Sequence, residues 1–120
     1  MNKPIDIPRF GFGGAGLGNL SREVSDDEAH RTLQAAWDGD LRYFDTSPLY
    51  GFGLSELRVG SFLRRQPRAE YVLSTKVGRY MVPPRGRSYD RGMWTAPLDL
   101  MPVHDYSYDA TMRSLEQSHS

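Results

Sequence analysis

Three β-forming runs separated by two amphipathic helices constrain this chain more than any other feature of it. The first run, residues 8–12, opens into the glycine-rich turn Gly11-Phe12-Gly13-Gly14-Ala15-Gly16-Leu17-Gly18. The second, residues 41–46, is stopped by Pro48, and the third spans residues 71–77. Between the first two, Ser25 stands three residues before Glu28 at capping-box spacing. Ala29, Leu33, Ala36 and Trp37 then recur on one helical stripe that Gly39 closes. A second helix is predicted from Ser55 to Arg65, with Val59, Phe62 and Leu63 facing inward and Pro67 barring its continuation. Strands that alternate with helices of this length lie parallel, joined by right-handed crossovers. Two architectures satisfy that pattern: an open doubly wound sheet, or the opening of a (β/α)8 barrel.

Residues 78–105 show no periodicity and contain Pro83, Pro84, Pro97 and Pro102, so a long loop is predicted, of the kind that is commonly functional or mobile. Within it, Arg79, Arg85, Arg87 and Arg91 suit either a polar or anionic substrate or, more ordinarily, a solvated loop. A third helix is predicted from about Ser107, with Tyr108, Met112 and Leu115 on one face.

Composition removes whole classes of function. Fifteen basic residues balance fifteen acidic ones, so no basic field draws the chain to nucleic acid or an anionic membrane. The absence of cysteine excludes a thiol nucleophile, a disulfide framework, a zinc–thiolate site and an iron–sulfur cluster. His30, His104 and His119 share no metal-ligand spacing. No apolar run is long enough to span a bilayer, and the first ten residues hold two prolines and no signal-peptide core, so a cytoplasmic location is expected.

The stretch from Gly11 to Gly16 satisfies the dinucleotide fingerprint G-x-G-x-x-G, which makes a small Rossmann-type nucleotide binder one reading. That motif works by opening a helix within the glycines, so that the helix N-terminus meets the pyrophosphate. Here Leu17 through Val24 intervene before the cap at Ser25. A strand-to-helix loop whose small residues leave room for a flat ligand fits better.

The carboxyl ends of parallel strands open on one face, where sites form. Asp45 ends the second run and Lys76 the third, and strand alternation groups Asp45 with Tyr43, and Lys76 with Val72 and Ser74. If both point inward, a carboxylate meets an ammonium, with Tyr50 one turn beyond Asp45 and able to arch over them. A free phenol is a weak acid at neutral pH, but a neighbouring ammonium stabilises the phenolate, and the carboxylate holds that ammonium charged and in place. Such a tyrosine can give a proton to a carbonyl oxygen while hydride reaches the carbon. Taken singly, a strand-end Asp more often caps a turn and a Lys more often snorkels.

The run Tyr43-Phe44-Asp45-Thr46-Ser47-Pro48-Leu49-Tyr50-Gly51, followed by Ser55-Glu56, resembles the signature of the aldo-keto reductases. Residues 71–77 resemble their next strand. The long loop, Tyr106-Ser107-Tyr108-Asp109 and Met112 through Glu116 resemble the branch of bacterial aldose, L-fucose and pyridoxal dehydrogenases. The resemblance runs from about Pro8 to Gln117. It implies a (β/α)8 barrel that moves hydride between NAD or NADP and a carbonyl or alcohol, such as an aldose or aldehyde. Tyr50 matches the proton donor, and Lys76 and Asp45 the residues that tune it. Gly14, Ala15 and Gly16, with Asp45, would border the nicotinamide. A complete barrel takes about 250 residues, so this chain is expected to be an N-terminal portion of about three β/α units. The family's catalytic histidine and most of its cofactor clamp would lie beyond Ser120. The implied state is a partial or truncated frame, inactive alone and prone to self-association through unpaired strand edges. A non-catalytic fragment or assembly module is the alternative.

Overall fold

The structure, a computed structural model, describes residues 4–119. The three β-forming runs pair in chain order and in parallel: β1 (Phe12–Gly13), β2 (Tyr43–Asp45) and β3 (Val72–Ser74). Phe44 lies between Phe12 and Leu73, and Asp45 between Gly13 and Ser74. Each strand is shorter than its run, because the chain leaves the ladder at once to make turns. The Gly14 N–H donates to the Asp45 carbonyl at 2.8 Å and the Thr46 N–H to the Ser74 carbonyl at 2.9 Å, carrying the ladder one residue past each strand.

Both predicted helices form. In α1 (Asp26–Asp38) the Ser25 hydroxyl accepts from the Glu28 N–H at 3.0 Å, and Asp26, Asp27 and Glu28 face the positive end of the helix dipole. Gly39 ends that helix, and the Arg42 guanidinium closes it by stacking 3.7 Å from the Trp37 ring while donating to the Trp37 carbonyl. In α2 (Leu54–Leu63) Val59, Phe62 and Leu63 are buried as predicted. The two helices cover one face of the sheet, where Phe44 is wholly buried among Leu33, Val59, Phe62 and Leu63, with Trp37 stacked on it. This single-sided burial leaves the opposite face, that of Tyr43, Asp45 and Ser74, free to carry polar groups.

Residues 78–105 are not the unstructured loop that their sequence suggests. Gly78, at φ +107°, turns the chain into β4 (Arg79–Val82), which pairs antiparallel with β5 (Met101–His104), Arg79 opposite His104. Two four-residue strands with a proline in one of them show no readable alternation, and their pairing partner is distant in sequence. His104 therefore ends a strand instead of lying in a loop. Helix α3 (Tyr108–His119) begins where predicted but faces the other way: Ala110 and Ser114 are buried, while Tyr108, Met112 and Leu115 are exposed. The reason is polar. The Ser114 hydroxyl donates to the Arg79 carbonyl at 2.9 Å, and the Gln117 amide bonds both the N–H and the carbonyl of Met81. These contacts, and the small residues beside them, bring the helix onto β4.

The three-stranded sheet does not close among the described residues, and β1 and β3 each pair on one side only. Together with its helices it is one segment of a (β/α)8 wall, as expected. No described helix is long and apolar enough to cross a membrane.

Candidate active site

The face of the sheet left open by the helices carries a chain of polar contacts. From Lys76, two residues past β3, the ammonium reaches the Asp45 Oδ2 at 2.7 Å and the Thr46 carbonyl at 3.0 Å. The other oxygen of Asp45 accepts from the Ser74 hydroxyl at 2.6 Å. That hydroxyl has spent its one hydrogen, so the Tyr43 phenol, 3.1 Å away, donates to it. The carboxylate is thus held from both sides. The same ammonium lies 4.9 Å from the centre of the Tyr50 ring. Asp45, Tyr50 and Lys76, three residues singled out by sequence, therefore meet in one place, and Ser74 and Tyr43 join them.

Electrostatics follow from the contacts. Burial pushes the Asp45 carboxyl up, but the hydrogen bonds from Lys76 and Ser74 and the attraction of Lys76 outweigh it and leave the group below its ordinary value. For Lys76, burial pulls down while Asp45 and the Tyr50 phenol pull up more strongly, and the ammonium ends above its ordinary value. Both side chains keep substantial contact with solvent, which screens the pair. A depressed acid stabilises the fold above its unfolded pKa, and that contribution is lost as pH falls through the lower folded value. A raised base stabilises below its unfolded pKa, and the contribution is lost as pH rises through the higher folded value. The stability difference between the parent and Lys76→Met, measured by urea unfolding, is therefore expected to be level from about pH 4 to 10 and to shrink beyond both ends.

The turn bearing Tyr50 is held by the glycine-rich segment. A 3₁₀ turn over Ala15–Gly18 runs so close to it that a Cβ on Gly18 would stand 2.4 Å from the Tyr50 carbonyl carbon. Gly51 takes φ +67°, with Gly18 packed against it. Gly14 is also fastened. Its N–H bonds Asp45, and its carbonyl accepts from the Ser55 hydroxyl, which itself accepts from Thr46. Gly13 and Gly16 are different, since a Cβ on either would meet nothing within 4 Å. The glycines therefore serve two purposes that their spacing does not distinguish. The helix that follows the glycines, α1, starts only at Asp26, so it does not open within them as the dinucleotide fingerprint requires.

Arg58 is not among the residues that the sequence singles out. Its guanidinium is nearly buried and donates to the carbonyls of Leu17 and Val24, to the Asn19 Oδ1 and to Asp26. It ties α2 to the turn that supports Tyr50. Replacing it with Met keeps the stem but takes the guanidinium donor from the Leu17 and Val24 carbonyls and leaves the Asn19 Oδ1 with the Val24 N–H alone, so the thermal midpoint is expected to fall by roughly 10–15 °C, equivalent to about 3 kcal/mol. Calorimetry checks this.

The loop arginines do not join the cluster as a group. Arg87 donates to the Pro84 carbonyl and Arg91 lies over the Tyr89 ring, which is the behaviour of a solvated loop. A groove of about 500 Å³ between α2, β4 and the end of α3 is lined by Leu57, Met81, Leu98 and Leu100 among others, and none of Asp45, Tyr50 and Lys76 is part of its lining. Among the described residues no cluster of three or more His, Asp or Glu could hold a metal ion.

Residues 9–119 match the model of the Aldo/keto reductase family. The chain is 45% identical over 119 residues to D-threo-aldose 1-dehydrogenase of Pseudomonas sp, and 41% identical over 124 residues to pyridoxal 4-dehydrogenase of Microbacterium luteolum. Each match takes in 95% of this chain but 36% of the relative. Among solved structures, a glycerol dehydrogenase from Gluconobacter oxydans superposes with a TM-score of 0.64 at 28% identity, covering 90% of this chain and 30% of that one. This chain thus spans about a third of the length of the proteins it resembles.

Proposed function

Because the chain belongs to the aldo/keto reductase family, we propose that Asp45, Tyr50 and Lys76 supply the proton-transfer half of an oxidoreduction linked to NAD or NADP, acting on an aldose or aldehyde. The observation that carries this reading is the position of Lys76, bonded to Asp45 on one side and set against the Tyr50 ring on the other. Tyr50 gives its hydroxyl proton to the substrate oxygen. The ammonium offsets the negative charge left on the phenol, and Asp45 and Ser74 keep that ammonium from drifting toward solvent. In the oxidative direction the phenolate takes the proton back.

The residues present suit one edge of a nicotinamide. Gly13 is the register partner of Asp45, and a Cβ at Gly13 or Gly16 would project into open space, so level ground lies beside the acid. Gly16 and Ala15, with Gly14 holding the turn to Asp45, are the residues proposed to border the ring. When bound, the nicotinamide gives or takes the hydride for which the protein has no group of its own.

The 120-residue chain alone is expected to be inactive, since hydride and proton must be delivered to one bound substrate and three open strands enclose no substrate. A chimera joining this chain to the remaining two-thirds of the Pseudomonas relative is the test. It should turn over aldoses or aldehydes with NAD or NADP, followed at the absorbance of the reduced nicotinamide. A folded chimera that converts none of them overturns the reading. A second reading, a non-catalytic assembly module, is favoured by the open edges of β1 and β3 and by Leu73, exposed on the covered side of the sheet. Sedimentation of the chain as a monomer at micromolar concentration would overturn that one.

A further inference from the structure

Over the Tyr50 turn lies a segment of the long loop that the proton-transfer reading does not use. Trp94 packs on Tyr50, ring centres 5.6 Å apart and planes tilted by 37°. The segment that carries it is tied down on both sides. Trp94 makes an antiparallel bridge to Leu20, the Ser21 N–H donates to the Met93 carbonyl at 2.7 Å, and the Thr95 N–H donates to the Asn19 carbonyl at 2.8 Å. Farther on, the Leu98 N–H donates to the carbonyl of Gly51, the residue after Tyr50.

Asn19 stands at the centre of these ties. It is almost wholly buried and takes φ +64°, a conformation asparagine tolerates better than most residues. Its Oδ1 accepts from the Val24 N–H and from Arg58, and its Nδ2 donates to the Ala96 carbonyl at 3.3 Å. The carboxamide therefore faces two ways, with an acceptor toward the scaffold and a donor toward the loop. We propose that Trp94 is a positioning residue that holds the Tyr50 ring against Lys76, and that the Asn19 carboxamide is the latch that holds Trp94 there. A ring free on one side could swing away from the ammonium, whereas one held between indole and ammonium keeps its hydroxyl aimed at a single point. The catalytic consequence rests on the reading of Tyr50 as the acid. The contact itself does not, and it can be read in the chain without turnover.

The chain has two tryptophans, so incorporation of 5-fluorotryptophan yields two fluorine resonances, and the one missing in Trp94→Phe belongs to Trp94. Tyr50→Leu is expected to shift the Trp94 resonance and leave that of Trp37 in place. Asn19→Asp keeps the acceptor for Val24 and Arg58 but removes the donor to Ala96. It should move the Trp94 resonance toward the position of the free amino acid and weaken its response to Tyr50→Leu, while the backbone ties of the segment remain. A Trp94 resonance indifferent to Tyr50 overturns the contact, and one unmoved by Asn19→Asp overturns the latch. If Asn19→Asp unfolds the chain, which the Trp37 resonance would report, the decision passes to Trp94→Ala. That change lies in a surface loop and should shift the Tyr50 ring signals in a ¹³C-tyrosine spectrum, with Trp94→Phe restoring most of the shift. Absence of that shift overturns the proposal. In the chimera described above, Trp94→Ala should lower kcat at least tenfold, with Trp94→Phe recovering most of it.

Discussion

In the chimera that completes the barrel, Tyr50→Phe is expected to lower kcat by about 10²- to 10⁴-fold with little change in KM, the range that a positioned general acid contributes. The substitution isolates the chemistry because the rest of the residue's surroundings depend on the ring. The packing of Trp94 and the approach of the Lys76 ammonium are both contacts to the ring, and a phenylalanine keeps them. What is lost is the hydroxyl, with its proton and its own interaction with the Lys76 ammonium. Steady-state kinetics on the variant, with an unchanged thermal midpoint as the control, provide the check. A loss below about tenfold would mean that the proton comes from elsewhere and that Tyr50 merely fills space.

Gly18→Ala is expected to damage the site more broadly, costing about 3 kcal/mol or more of stability and displacing Tyr50. The added Cβ would stand 2.4 Å from the Tyr50 carbonyl carbon and 2.6 Å from the Gly51 nitrogen, and both are backbone atoms that cannot turn aside as a flexible side chain can. Gly51, at φ +67°, is itself in a conformation that few side chains allow, so the strain cannot be passed along the turn at low cost. Gly16→Ala is the matched control. It adds the same methyl group two residues away, where nothing lies within 4 Å, and should change stability by less than about 0.5 kcal/mol. Any effect of that change should be read in nicotinamide affinity. Urea unfolding of the two variants side by side separates packing from binding. Equal losses would mean that the glycines act through backbone freedom and not through space.

Much of the site was legible in the chain. Asp45 and Lys76 could be placed together because both sit at carboxyl ends of parallel runs and side-chain direction in a strand alternates. The same alternation groups Ser74 with Lys76 and Tyr43 with Asp45, but it does not say that the Ser74 hydroxyl would bond the carboxylate and the phenol of Tyr43 would bond that hydroxyl. Trp94 and Asn19 offered no such signal. They come from loops separated by more than seventy residues, and no periodicity links them.

The residues of this chain determine by themselves where α1 and α2 begin and end, which of their faces turn inward, and that the first three strands are parallel. Caps, prolines and apolar stripes act over a few residues, and their physics is local. Only the tertiary structure decided that β4 and β5 pair across the long loop, that α3 turns Ala110 and Ser114 inward in place of its larger apolar residues, and that Gly18 matters where Gly16 does not. Each of those outcomes depends on what the chain meets at a distance: a carbonyl of β4 for Ser114, the backbone of Tyr50 for Gly18. Contacts of that kind are settled by which surfaces come together, and a local pattern carries no record of them.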